Sequence, residues 1–354
     1  MQKKTPRLIS SLSSFVQKWW WLLGSVFALG IALVLWLPQF GVLPLGINRD
    51  EAALGYNAYS MLKTGKDEWG KTWPVSITSF GDQKLPGYVY ALIPFIGIFD
   101  LEPWVIRLPS LLAGLVVVLS LGRLLWLVTA ELSWPVIWKR LATVGVMVVT
   151  ASSPWQMHMS RVAYESHLAM AFFLIGLTAL ISAIEEKRVW VQRGLVWIAA
   201  TGWGVSVLTY HSYQVLLPLV GVVFLLLFLR KVLSLDKIAV MGGAIVFLLV
   251  AVLFFKGGVY QANAVKSQGI SPLNQLQVLD KATLWRGLSP LPDGLDRFLF
   301  NRPGETLTII ARNMLIGFSF DFLFVSGSSH GDHNPAHQAP LPMWLMPALL
   351  LGLL

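Results

Sequence analysis

Asp50 and Glu51 stand side by side, Asp82 and Lys84 follow in the same stretch, and Arg161 and Glu165 lie four positions apart further along. A carboxylate can take a proton from an attacking hydroxyl. An ammonium or guanidinium can hold a phosphate as it gains charge. Together these groups suit attack on a carbon whose leaving group is a phosphate ester. Phosphate departs readily, so such a reaction needs a base and cations and can dispense with a general acid, and direct displacement inverts configuration at the carbon.

The elements that must position these groups are membrane helices. With 55% hydrophobic and 13% charged residues and a mean hydropathy of +0.65, 354 residues are too apolar for a soluble fold and too many for one anchor. The formal charge of +9 does not indicate nucleic acid, because Lys and Arg fall in short groups between apolar runs, as cytoplasmic loops require. No cysteine is present, so disulfides and thiolate metal sites are excluded and the redox compartment stays open. Lys3, Lys4, Arg7 and Lys18 precede the first apolar run, which ends without a cleavage pattern. We expect an uncleaved first span with a cytoplasmic N-terminus.

Runs that approach the roughly 20 residues needed to cross a bilayer cover 19–40, 107–128, 141–157, 167–184, 194–211, 213–230 and 238–255, with a further run from Leu341 to the end. The stretch Pro86–Phe99 is apolar but short. Treating it as interfacial or re-entrant puts Lys139 and Arg140, Lys187, Arg188 and Arg193, and Arg230, Lys231 and Lys237 on the N-terminal side, as the positive-inside tendency asks. Loops 41–106, 152–166, 211–213 and 256–340 then emerge together on the extracytoplasmic face, with the candidate groups on them. The sequence predicts a single transmembrane domain over 1–354, with 41–106 as catalytic loop and 256–340 as a second long loop. In the first loop, Asn48 or Asp50 can cap a helix to about Leu62 with Gly65 as its stop, and Leu54, Ala58, Met61 and Leu62 on one face. Glu305–Phe324 is apolar but interrupted by Arg312, Asn313 and Asp321, which predicts a surface helix.

Each candidate also has a plainer reading. Asp50 can be a helix cap, Glu51 half of a capping pair with Asn48, Lys84 a snorkelling headgroup contact and Asp82 a turn residue. Arg161 and Glu165 can be a helical ion pair, and Arg107 an interfacial anchor for the second span. Tyr210, His211 and Tyr213 sit where an aromatic belt is expected, as do most of the sixteen tryptophans. His330, Asp332, His333 and His337 have the ligand types for a divalent ion, in a Gly- and Ser-rich loop that can equally be solvated.

The Asp-Glu pair after the first span, then YNAYSMLKTG, SFGDQKLPGYVYALIPFIGIF, RLPSLLAG and ASSPWQMHMSRVAYESHLAMAFF, resemble the GT-C membrane glycosyltransferases. The nearest kinds are bacterial proteins similar to protein O-mannosyltransferases (family 39-like) and to the aminoarabinose transferases that modify lipid A. The resemblance covers about residues 40–185, and the tail from LFVSGSSHGDHN more loosely. It implies an all-α polytopic GT-C bundle with juxtamembrane helices in the first loop, and an inverting enzyme with an extracytoplasmic site in the inner or plasma membrane. The implied donor is a polyprenyl-phosphate sugar, and the acceptor a protein, lipid or glycan.

Asp50 then matches the essential first-loop aspartate, with Glu51 beside it as a second catalytic candidate that would bind the acceptor, and Lys84 the lysine that approaches the donor phosphate, with Arg161 as a second phosphate contact. Asp82, Glu165, Tyr56 and His211 are the implied substrate contacts. No cofactor is required, though a divalent metal is compatible. Many relatives carry Glu-Lys-Pro-Pro where this chain reads Gln83, Lys84, Leu85, Pro86, which shifts any role of that glutamate to Asp82. Relatives also continue through further spans, so a missing C-terminal part is expected. The alternative class is a lipid-linked substrate transporter or flippase, which would need charges at mid-span.

Overall fold

The structure, a computed structural model, describes residues 7–80, 82–256, 276–292, 294–328 and 338–353. The chain forms two compact units, Met1–Pro74 with Leu85–Leu253, and Val75–Lys84 with Phe254–Leu354. Among the described residues both are helical apart from one short hairpin, an all-α polytopic architecture.

The first unit begins with α1 (Arg7–Trp36), followed by α2 (Arg49–Thr64), α3 (Gly87–Phe99) and α4 (Pro103–Ala130). Next come α5 (Val136–Ser152), α6 (Pro154–Arg161), α7 (Glu165–Glu185), α8 (Val189–Thr209), α9 (Ser212–Leu233) and α10 (Lys237–Lys256). Helix α4 is the hub, packing against α5, α6, α7 and α3, while α1 lies on α5 and α2 on α3. The core under α1 joins Ala28, Ala32 and Trp36 to Leu111, Val118, Met147 and Ala151. Small residues on α1 let the helices approach, and the Trp36 indole Nε1 donates to the Ala151 carbonyl at 2.9 Å.

Helices α7 and α8 form an antiparallel hairpin whose backbones touch. A Cβ on Gly202 would stand 2.8 Å from the Phe172 carbonyl oxygen and 3.1 Å from the Gly176 nitrogen, and one on Gly176 would stand 2.3 Å from Trp203 Cδ1. Small residues at such crossings are the rule where lipid supplies no hydrophobic drive for association. Their connection is closed by Glu186, which accepts from the Arg188 backbone N and guanidinium at 2.9–3.2 Å. That guanidinium holds the half-buried Glu186 carboxyl down at about 2.

The second unit contains β1 (Ile77–Ser79) and β2 (Asp82–Lys84), antiparallel with Ile77 opposite Lys84 and Ser79 opposite Asp82. It continues with α11 (Leu276–Leu288), α12 (Leu295–Leu299), α13 (Arg302–Gly317), α14 (Phe320–Phe324) and, after a 3-10 turn at Met343–Leu345, α15 (Met346–Leu353). Helix α11 packs on α13.

Among the described residues, six helices are long and apolar enough to cross a membrane: Lys18–Trp36, Pro103–Ala130, Glu165–Glu185, Ser212–Leu233, Lys237–Phe255 and Arg302–Phe324. Three differences from the sequence expectation have physical causes. The span expected over 141–157 is broken, α5 and α6 meeting at 58°. Pro154 has no N–H to continue α5, and Ser153 caps α6 through its side chain to the Gln156 N. The run 194–211 is long enough as α8 yet is not among the apolar candidates, because Gln192, Arg193 and its Gly and Trp content dilute it. Conversely the stretch 305–324, expected as a surface helix, falls in Arg302–Phe324, which passes by length and composition, although Phe318 and Ser319 divide it into α13 and α14. Helix α3 has 13 residues, too short for a straight span, as expected for 86–99.

Gly202→Val is expected to lower stability by about 1–3 kcal/mol, the usual cost of overpacking, read as a lower apparent melting temperature in detergent. An unchanged melt would mean that the α7 and α8 backbones are not in contact.

Candidate functional site

Helix α2 is built as its sequence dictates. Asn48 accepts from the Glu51 N at 2.8 Å, and the Glu51 carboxylate accepts from the Asn48 N at 3.1 Å, a reciprocal capping box. Gly65 ends the helix in the left-handed conformation at φ 70°. Leu54, Ala58 and Met61 are buried, whereas Leu62, expected on the same face, is exposed.

Glu51 does far more than cap. Its carboxylate is buried and receives the Arg107 Nε at 2.8 Å and Nη2 at 3.1 Å, a two-point pair whose side chains are 2% and 1% exposed. The Ala163 N donates to the same carboxylate at 3.0 Å. Arg107 in turn donates from Nη1 to the Pro44 carbonyl at 3.2 Å and from Nη2 to the Gly46 carbonyl at 2.7 Å. Arg161 reaches the same segment, donating to the Pro38 carbonyl at 2.7 Å. Three carbonyls of the 37–48 connection are thus held by two buried arginines. Arg107 is therefore no interfacial anchor, as its place at the start of a span suggested, but the partner of a loop carboxylate 56 positions away.

These contacts decide which candidates meet. Asp50 and Glu51 lie in the first turn of α2, and the Ala163 bond brings the Arg161–Glu165 segment to that turn. Asp50 is exposed, while Glu51 is buried. Arg161 and Glu165 do not share the single helix that their spacing suggests. Helix α6 ends at Arg161 and α7 opens at Glu165, with Val162 and Tyr164 extended between them. Tyr56 is exposed on α2.

His211 occupies the N-cap position of α9 without a side-chain capping bond, two residues after Thr209, against which Gly87 packs: a Cβ there would meet Thr209 Oγ1 at 2.0 Å. Of the expected aromatic belt, Tyr213 is buried and contacts the Phe173 ring at 5.4 Å. In α3, Tyr88 shares hydrogen bonds of 3.0 Å with Ser110 and the Ile106 carbonyl. Burial pushes its phenol up, with the Ser110 bond opposing.

Asp82 and Lys84 belong to the second unit, at the two ends of β2. Gln83 between them is fixed by side-chain bonds of 2.9 Å with Ser76 and Thr78. Lys84 is 6% exposed, which is not the exposure of a headgroup contact. His330, Asp332, His333 and His337 lie outside the described residues. Among the described residues no cluster of three or more His, Asp or Glu side chains could hold a metal. An apolar groove of Trp134, Pro135, Trp138, Leu141 and Ala142 opens at the far end of α4 from Arg107 and carries no group suited to the transfer.

The fold is similar to that of ArnT from Cupriavidus metallidurans in the apo state, with a TM-score of 0.51 and 16% identity over 90% of this chain and 57% of that one. At that identity the likeness is one of fold. A structure of ArnT from the same organism bound to undecaprenyl phosphate gives a TM-score of 0.47 and 18% identity, over 86% of this chain and 60% of that one. The chain therefore spans about 57% to 60% of the ArnT chains it resembles. No protein-family model and no curated protein sequence matches it. Within this fold the first-loop helix, the break between α5 and α6 and the start of α4 converge on one end of the bundle. The residue that pure sequence reasoning undervalued is Arg107, and its signal was a guanidinium near the start of a helix whose one other charged residue is Arg123.

Arg107→Leu is expected to destabilise the protein by about 3–5 kcal/mol, because it strands the Glu51 charge in the interior. Asn48→Ala, which removes only a cap, is expected to cost about 1 kcal/mol. Unfolding in detergent measures both, and equal losses would contradict the ranking.

Proposed function

We propose that this chain carries the catalytic part of an inverting glycosyltransferase, which moves a sugar from a polyprenyl-phosphate donor to a hydroxyl or phosphate of a protein, lipid or glycan. The observation that carries the reading is an exposed carboxylate, Asp50, fixed in the first turn of a loop helix beside the Arg161–Glu165 segment in a GT-C fold. In a transfer of this kind the acceptor oxygen bonds to the anomeric carbon as the bond from that carbon to the phosphate oxygen breaks. The acceptor proton passes to Asp50. The lipid phosphate leaves with one more negative charge, which the Lys84 ammonium and the Arg161 guanidinium would hold.

Asp82, Glu165, Tyr56 and His211 are assigned to substrate contact, and Glu51 to fixing the loop. The resemblance of the first-loop motifs supports the donor assignment, and the charge distribution of the linkers supports an extracytoplasmic site. No metal is needed for these steps, since cations of the chain supply the charge. The site would lie in the inner or plasma membrane with the N-terminus in the cytoplasm.

The test is a panel of labelled polyprenyl-phosphate sugars incubated with membranes containing the full protein. Label is expected in a lipid, glycan or protein fraction. Asp50→Asn should lower kcat by about 10²- to 10⁴-fold, the range for a lost general base, with donor binding retained. Lys84→Gln should lower kcat by about 10²- to 10³-fold, as for a lost electrostatic stabiliser. Label from no donor, or donor movement across vesicles without transfer, would replace this reading with binding or transport.

A further inference from the structure

The buried Glu51–Arg107 pair is more than a cap needs. An N-terminal carboxylate at the third helical position satisfies a capping box from the helix surface, where its charge stays hydrated. Here the carboxylate is taken out of water together with a guanidinium, at a desolvation cost that a cap alone does not require. What the burial adds is contact with other elements. The two oxygens of Glu51 receive four hydrogen bonds, from Asn48, twice from Arg107 and from Ala163. Arg107 carries the connection onward to Pro44 and Gly46. One ion pair therefore ties α2 to α4, to the 162–164 segment and to the chain leaving α1.

Asp50 precedes Glu51 in the same helical turn, so its direction follows from Glu51 by a rotation of about 100°. With Glu51 locked inward, Asp50 is held outward, and it is exposed. We propose that the Glu51–Arg107 pair is a positioning device. It fixes the rotation and tilt of α2 and so sets where the Asp50 carboxylate meets the acceptor, while Glu51 itself touches neither donor nor acceptor. The two residues therefore act through Asp50.

The proposal deepens the glycosyl-transfer reading and rests on it for its kinetic arm alone. In that arm Glu51→Gln keeps the shape of the side chain and removes its charge, and Arg107→Lys keeps charge and loses the two-point fork. For both, kcat per folded molecule is expected to fall by about a hundredfold, the order for a reacting group displaced by about 1 Å, with the donor KM little changed. A purely structural role would reduce the amount of folded protein and leave kcat per folded molecule intact, and that outcome overturns the proposal.

The second arm needs no turnover. Because the chain has no cysteine, spin labels can be placed at Ala52→Cys on α2 and Leu132→Cys beyond α4, both exposed positions. The label-to-label distance distribution is expected to be narrow in the otherwise unchanged chain and to broaden or shift in Glu51→Gln. A distribution that stays narrow and unshifted while kcat falls would give Glu51 a direct chemical role and overturn the proposal. A broadened distribution with intact kcat would sever the pair from Asp50 and also overturn it. If the unmutated chain transfers no sugar, the glycosyl-transfer reading fails by itself, and the labels still decide whether the pair holds α2.

Discussion

An ion pair sealed away from water holds this end of the molecule together. Glu51 and Arg107 meet at 2.8 Å with almost no exposure, the carboxylate also accepts from the backbone of Asn48 and Ala163, and the guanidinium also donates to the carbonyls of Pro44 and Gly46. Such a pair is tolerable only when its geometry is complete, since either partner alone would leave a buried charge. Completeness here requires four separate stretches of chain to be in place at once: the exit from α1, the first turn of α2, the first turns of α4 and the link between α6 and α7. The pair therefore does for the juxtamembrane loop what close helix packing does for the bundle beneath it.

The bundle supplies the fixed ends for that clamp by local rules. Proline at position 154 stops α5 and a serine restarts the chain as α6 at a new angle, which delivers Arg161 and Ala163 beneath α2. Close approach at Gly114, where a Cβ would meet Ser160 Oγ at 2.1 Å, presses α6 onto α4. In each case a small or cyclic side chain determines where a polar group can arrive. The membrane-facing surface, by contrast, is a broad field of exposed leucine and valine on α9 and α10.

What could be read from the sequence was whatever depends on neighbours along the chain. The capping box at Asn48 and Glu51, the stop at Gly65, the short helix after Pro86 and most apolar spans follow from spacing alone, and the structure contains them. Whatever depends on distant partners was not legible. Arg107 looks like any basic residue at a helix start until Glu51, 56 positions earlier, is seen against it. Arg161 and Glu165 suggested one helix because i, i+4 spacing cannot reveal the extended residues that separate α6 from α7. Apolarity likewise does not reveal why α8 carries Gly202 and Trp203, which serve its contact with α7. Asp82 and Lys84 fall in one sequence loop with Asp50, yet the chain assigns them to a different compact unit.

The α7–α8 hairpin and the Glu51 clamp differ sharply in the lengths of chain they close. The hairpin joins residues across a three-residue turn, so its closure costs little loop entropy and can occur as soon as Thr209 has been made. The contact from Glu51 to Ala163 spans 112 positions and cannot exist while the ribosome is still threading α4 and α5. The clamp on the end of the molecule that bears Asp50 is thus completed only after α6 has been made, and a chain interrupted before α6 would keep the pairing of Glu51 with Arg107 but lack the Ala163 bond that ties it to the later helices.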